Sequence, residues 1–443
     1  MLNTAHLSLE QAPPISIPFR FFLTAPLFGI AAGLVLIWVG EAAMVSRWSP
    51  VVLSLTHLIT LGFLTMVMCG AMMQMLPVLA GSPVPGIGPV GAVTHLALSL
   101  GTGALAYAFM QGSAGWMKLA LLLLGIGISV FAIAAGLALA RVKLSSPTVT
   151  GMRWSLASLV ITVALGMLLS MGFFGFVALN DLPSYTDLHL GWGLLGWMGL
   201  LLVGVSYQVV PMFQVTPEYP QLMRDHLTRS LFFGLAGWFL LEIGVIRGYW
   251  SSLVPGCWML LVTAGFPLFA GTTLHIQRLR KRQVSDVTLI FWRVGLIGIL
   301  FGYLVWLIGR ALPEAATAPW YPLLLGTLLL FGGAFPLVNG MLYKIVPFLS
   351  WFHLQNRQLA LGAFHVKLPH MKGFIGDREA RLQFYLYLAA LFLALAAVFR
   401  PALFTRPAGA FLVLTNLMLG YNLLRAVMRY RNTKVLLNQT ESH

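Results

Sequence analysis

Two histidines inside long apolar runs, His57 and His189, are the side chains best suited to chemistry. Imidazole ligates heme iron and copper, and ionisable groups are costly inside a bilayer, so such positions are functional candidates by default. The plainer alternative is a histidine hydrogen-bonded near the membrane interface. Gln74, Gln208 and Lys344 are further polar groups within apolar runs. They are expected to line the interior and support a cofactor or water, because exposure to lipid is costly. Lys344 lies near one end of its run and could instead snorkel to the interface. Met66, Met68, Cys69, Met72, Met73 and Met75 form a soft-ligand stretch that suits Cu(I), although Met equally fills gaps in apolar packing.

These residues need elements to position them, and the composition names the kind. Of 443 residues, 59% are hydrophobic and 9% charged, with a mean hydropathy of +0.87. Soluble domains carry about 25% charged residues. A soluble enzyme, a disordered chain and a disulfide-stapled secreted domain are excluded. Cys69 and Cys257 both lie in apolar runs, so no disulfide framework is expected.

The expected fold is an all-α polytopic membrane protein in a lipid bilayer. Its twelve spans lie near 21–45, 51–79, 87–111, 116–141, 152–180, 185–213, 228–247, 250–276, 286–310, 320–350, 382–399 and 407–429. The segment before the first run lacks the basic start and apolar core of a signal peptide, so that run is expected to be retained. Residues 351–381 form the longest connection, expected as an interfacial cytoplasmic loop. His353, His365 and His370 fall there, at spacings that match no compact metal motif.

The formal net charge is +15. Arg141 and Lys143, Arg224 and Arg229, Arg278 to Arg282, Lys367 to Arg381, and Arg425 to Lys434 all follow even-numbered spans. The positive-inside rule then places both termini in the cytoplasm. No basic run is interleaved with aromatics outside the spans, so nucleic acid is not an expected partner.

An internal pattern recurs. Gly62, Gly70, Gln74 and Pro77 in span two read G-x7-G-x3-(Q/K)-x2-P, as do Gly196, Gly204, Gln208 and Pro211 in span six. Gly332, Gly340, Lys344 and Pro347 in span ten do the same. Each copy sits on the second helix of a four-helix set, which suggests repeat arcs at about 21–141, 152–276 and 286–429 in a single pseudo-threefold bundle over 1–443. At 100° per residue the four positions share a face about 120° wide. Such a stripe serves as a packing seam, because small residues let helices approach. The same wheel puts His189 on the glycine face of its helix and His57 roughly opposite.

Twelve spans, cytoplasmic termini and three four-helix arcs resemble subunit I of heme-copper oxidases and nitric oxide reductases. His57-x4-Gly62 looks like the heme-ligand helix of that superfamily, and His189 on span six looks like the helix that supplies a copper ligand there. The NnrS-like branch, membrane proteins of twelve spans associated with heme, copper and nitric oxide stress, is the nearer analogue. Span two keeps a His followed by Gly62-Phe63 but has no second His nearby. Span seven has no His-His pair and span ten no histidine, so an oxygen-reducing site does not carry over.

The resemblance implies a heme-binding protein with His57 and His189 as ligands, and copper as a second candidate cofactor. Its role would be electron transfer, nitric oxide tolerance or cofactor handling, with a redox partner protein or quinone. The residues leave two alternatives open. One is a cofactor-free transporter using Lys344, and the other is a copper-handling protein using Met66, Cys69 and Met72.

Overall fold

The computed structural model describes residues 12–143, 145–281 and 284–439. Arg282 and residues 1–11 of the polar lead-in lie outside the described residues. Within them, twelve helices are long and apolar enough to cross a membrane. They are α1 (Ser16–Met44), α2 (Pro50–Ala80), α3 (Ile87–Gln111), α4 (Ala114–Ala140), α5 (Pro147–Phe173) and α6 (Leu182–Gln214). The chain continues through α7 (Gln221–Ile246), α8 (Leu253–Arg278), α9 (Val287–Ala311), α10 (Trp320–Leu361), α11 (Asp377–Phe399) and α12 (Pro401–Gln439). The protein is an all-α, multi-pass membrane protein.

Several helices begin on side-chain caps. Ser49 accepts from the Val52 N–H, Ser146 from Val149 and Asp181 from Ser184, each at 3.2 Å and each with proline in the first turn. Such caps satisfy backbone donors that the helix itself leaves open, and proline there gives up no bond.

Three helices carry a π-helical segment. Leu58–Thr65 in α2, Trp192–Leu200 in α6 and Thr327–Ala334 in α10 are π-helical. These are the helices with the Gly, Gln-or-Lys and Pro pattern, and each π segment contains that pattern's first glycine. A π turn bonds i to i+5, so wheel angles counted at 100° per residue do not carry across it. The opposed faces expected for His57 and His189 from that arithmetic therefore have no basis.

The pattern glycines are packing positions. A Cβ on Gly70 would lie 2.7 Å from the Phe21 side chain of α1, and Gly62 faces Phe28 of the same helix. On α6, a Cβ at Gly204 would stand 2.7 Å from the Cα of Gly151 in α5, and one at Gly196 would stand 2.8 Å from Ser158. On α10, a Cβ at Gly340 would meet Phe291 of α9 at 2.6 Å. Gly332 differs, with only ordinary contact at 3.6 Å to Leu391 of α11.

Backbone contacts divide the chain into two compact units. One is built on Met72–Gln283 with Leu296–Ile308, the other on Pro14–Ala71, Val284–Gly295 and Gly309–His443. In the first, Leu188, Trp192, Leu200, Leu231, Leu235, Trp238 and Phe266 form a buried core around the α6 π segment. In the second, Phe63 from the α2 π segment stacks on Phe335, with centroids 4.2 Å apart. Phe335 abuts the α10 π segment, and Tyr387 and Phe291 extend the buried aromatic column.

The connection expected at 351–381 is shorter. Phe352 and Leu354 are buried, so α10 continues to Leu361 and ends where Gly362 takes φ 63°. Positive φ favours glycine, which has no Cβ to clash. Span five ends earlier than expected, at Phe173 rather than 180.

Gly204→Leu should cost roughly 1–3 kcal/mol through overpacking against Gly151, seen as a lower melting temperature in detergent. Gly103→Leu, where nothing lies within 4 Å of a Cβ, should leave it unchanged.

Candidate functional site

His57 ends the α-helical start of α2, directly before the π segment. Its ring folds back on its own helix, with Nδ1 2.7 Å from the Leu53 carbonyl oxygen. A carbonyl only accepts, so in the neutral ring Nδ1 carries the proton and Nε2 the lone pair.

His189 stands three residues before the α6 π segment. Its Nδ1 lies 2.9 Å from the carbonyl oxygen of Thr162 in α5, which fixes the same tautomer. Gly166, one turn further along α5, makes room for this ring: a Cβ there would sit 2.8 Å from His189 Cε1. The two histidines reach the same state differently, one against its own helix and the other against a neighbour. A backbone acceptor on one ring nitrogen is the usual device for orienting an imidazole ligand.

Gln74 is 5% exposed, and its Oε1 finds no hydrogen-bond partner among the described residues. A buried acceptor left unpaired carries a free-energy cost of about 1–3 kcal/mol, so this oxygen is a place where a bound group or water would be stabilised. Gln208 is half-buried on α6.

Lys344 has an anionic partner. Its Nζ donates to Oδ2 of Asp286 at 2.5 Å, while Oδ1 of the same carboxylate accepts from the Leu289 N–H at 3.1 Å. Asp286 therefore caps α9 and neutralises the amine on α10. Thr288 adds a bond to the Gly340 carbonyl at 2.9 Å. The lysine belongs to a clamp that joins α9 to α10.

Met66, Cys69 and Met72 are 0%, 1% and 1% exposed, as core side chains are. Among the described residues no group of three His, Cys, Asp or Glu gathers to hold a metal ion, and this includes His353, His365 and His370. The connector between α6 and α7 is pinned by Tyr219, whose hydroxyl lies 2.9 Å from Thr273 Oγ1. Burial pushes that phenol well above its ordinary pKa.

The chain matches no protein-family model, and no curated protein is significantly similar to it.

Sequence reasoning passed over Asp286, Thr162 and Gly166. Asp286 carried a signal, being an N-cap residue type immediately before an apolar run. Thr162 contributes a backbone oxygen and Gly166 an absence, and neither leaves a mark in the residue type.

Lys344→Met should destabilise the protein by roughly 1–3 kcal/mol. That is below the 3–5 of a fully buried pair, since the two side chains keep 20% and 16% exposure. Adding Asp286→Asn, which retains a capping oxygen but not the charge, should restore part of the loss in thermal unfolding.

Proposed function

We propose that the chain is a heme-binding membrane protein related to heme-copper oxidase subunit I, in its NnrS-like branch. It would lack oxidase turnover and serve electron transfer, nitric oxide tolerance or cofactor handling. The observation that carries this reading is the pair of tautomer-locked imidazoles, each beside a π segment of an apolar helix. π-bulges occur often at functional sites.

His57 and His189 are the residues that would hold heme iron, through Nε2. A porphyrin brings ligand nitrogens of its own, so one histidine would suffice to hold its iron. For copper, no group of three His, Cys, Asp or Glu gathers among the described residues, and the buried Met66, Cys69 and Met72 are the alternative soft ligands. Bound heme supplies one-electron redox chemistry and an iron that binds diatomic gases.

The protein's own residues do the rest. Leu53 and Thr162 hold the imidazole protons on Nδ1, Gly166 admits the His189 ring, and the orphaned Gln74 oxygen accepts from a bound group or water. Gln208 belongs to the same polar lining. Lys344 pairs with Asp286 and joins α9 to α10, which supports a structural reading of the amine over a transport one.

The twelve helices group in this account as three arcs, and the matching π departures in α2, α6 and α10 support that grouping. Both termini face the cytoplasm of a bacterial-type inner membrane, where a redox protein or quinone exchanges electrons with the site.

Oxidised and reduced absorption spectra of the full chain, purified in detergent after expression with ample heme, test the reading. A stoichiometric Soret band is expected, lost in His57→Ala or His189→Ala and shifted in Gly166→Ala. A colourless, metal-free protein would overturn it.

A further inference from the structure

Among the described residues, one end of the second unit carries more cations than carboxylates. Four elements meet there: the end of α10, the 362–376 connector, the start of α11 and the end of α12. Arg425 of α12 pairs with Glu379 of α11 at 2.9 Å, Arg429 donates to the Gly373 carbonyl, and Arg357 of α10 donates to Asn438 of α12 at 3.2 Å.

Over 351–381 and 421–439 the described chain has nine Lys or Arg and two carboxylates, Asp377 and Glu379. Glu379 is already taken by Arg425. Arg429 and Arg381 are held by neutral carbonyl oxygens, which orient a guanidinium without cancelling its charge.

The length of α12 sets where this charge lies. Its 39 residues span about 58 Å at 1.5 Å per residue, whereas the hydrocarbon layer is about 30 Å thick. The C-terminal half therefore reaches the level of the lipid headgroups. Its outward surface is not purely basic: Leu424, Met428, Val435 and Leu436 are each more than half exposed, interleaved with Arg425, Arg429, Arg431 and Lys434. An acidic protein or a nucleic acid would match the charge but leave these apolar side chains in water. A bilayer surface accepts both, the apolar groups at the acyl boundary and the cations at the phosphates.

We propose that this end of the second unit is a binding surface for anionic phospholipid headgroups, formed chiefly by Arg429, Arg431 and Lys434. Each Lys or Arg near an anionic membrane surface strengthens binding about fivefold, so the three together give a preference of about a hundredfold over zwitterionic lipid.

The test is native mass spectrometry of the full chain in detergent, titrated with phosphatidylglycerol or phosphatidylcholine. The unaltered protein should retain phosphatidylglycerol preferentially. The Arg429→Gln, Arg431→Gln, Lys434→Gln variant should lose that preference, and Arg429→Lys with Arg431→Lys should keep it. Melting in lipid-free detergent checks the fold. Should the triple variant unfold, Arg431→Gln with Lys434→Gln, both on the exposed face, should still lose most of the preference. Equal retention of the two lipids by the unaltered protein would overturn the proposal, as would an undiminished preference in the folded Gln variants.

Discussion

A backbone carbonyl or amide in the hydrocarbon layer must find its partner inside the protein. That constraint makes every span a helix, and it gives the three π segments their weight. A π turn re-pairs the ladder at i to i+5 and displaces the carbonyls from their usual directions. The structure answers with neighbours. The Tyr387 hydroxyl donates to the Phe331 carbonyl within the α10 segment at 2.6 Å. Phe63 and Phe335 stack beside the α2 and α10 segments, and Trp192, at the head of the α6 segment, is fully buried. The same economy places the histidines: each imidazole that adjoins a π segment gives its Nδ1 proton to a backbone oxygen.

Charge follows a parallel rule. Where α9 meets α10 the amine of Lys344 is matched by the carboxylate that also caps α9, so one ion pair joins two helices. At the end of the second unit the opposite holds, and cations outnumber anions on a surface that also shows leucine, methionine and valine. The first arrangement suits a dry interior and the second suits phosphate-bearing lipid.

Much of this was legible in the residues, and the reason is physical. Apolar runs of about twenty residues have one outcome in a bilayer, and all twelve spans appear, with ends that shift by several residues. The glycine stripe was readable as a seam, because only a missing side chain allows Gly204 to rest on Gly151. The π segments were not readable, since no residue type demands them and their cause lies in packing between helices. For the same reason 100° arithmetic does not relate His57 and His189 to the glycines beyond their π segments. The partner of Lys344 was missed because 58 residues separate it from Asp286, although an aspartate ahead of an apolar run was itself a cap signal.

The central claim is that His57 and His189 each present Nε2 as a ligand atom. Nitrogen-15 NMR of the metal-free protein, labelled at histidine and held above pH 8, measures this directly, with His57→Gln and His189→Gln assigning the resonances. The account predicts a protonated Nδ1 and an unprotonated Nε2 at both positions, with the Nε2 signals of these two residues shifted or lost when hemin is added. Protonated Nε2 atoms, or Nε2 signals unmoved at saturating hemin, would contradict it.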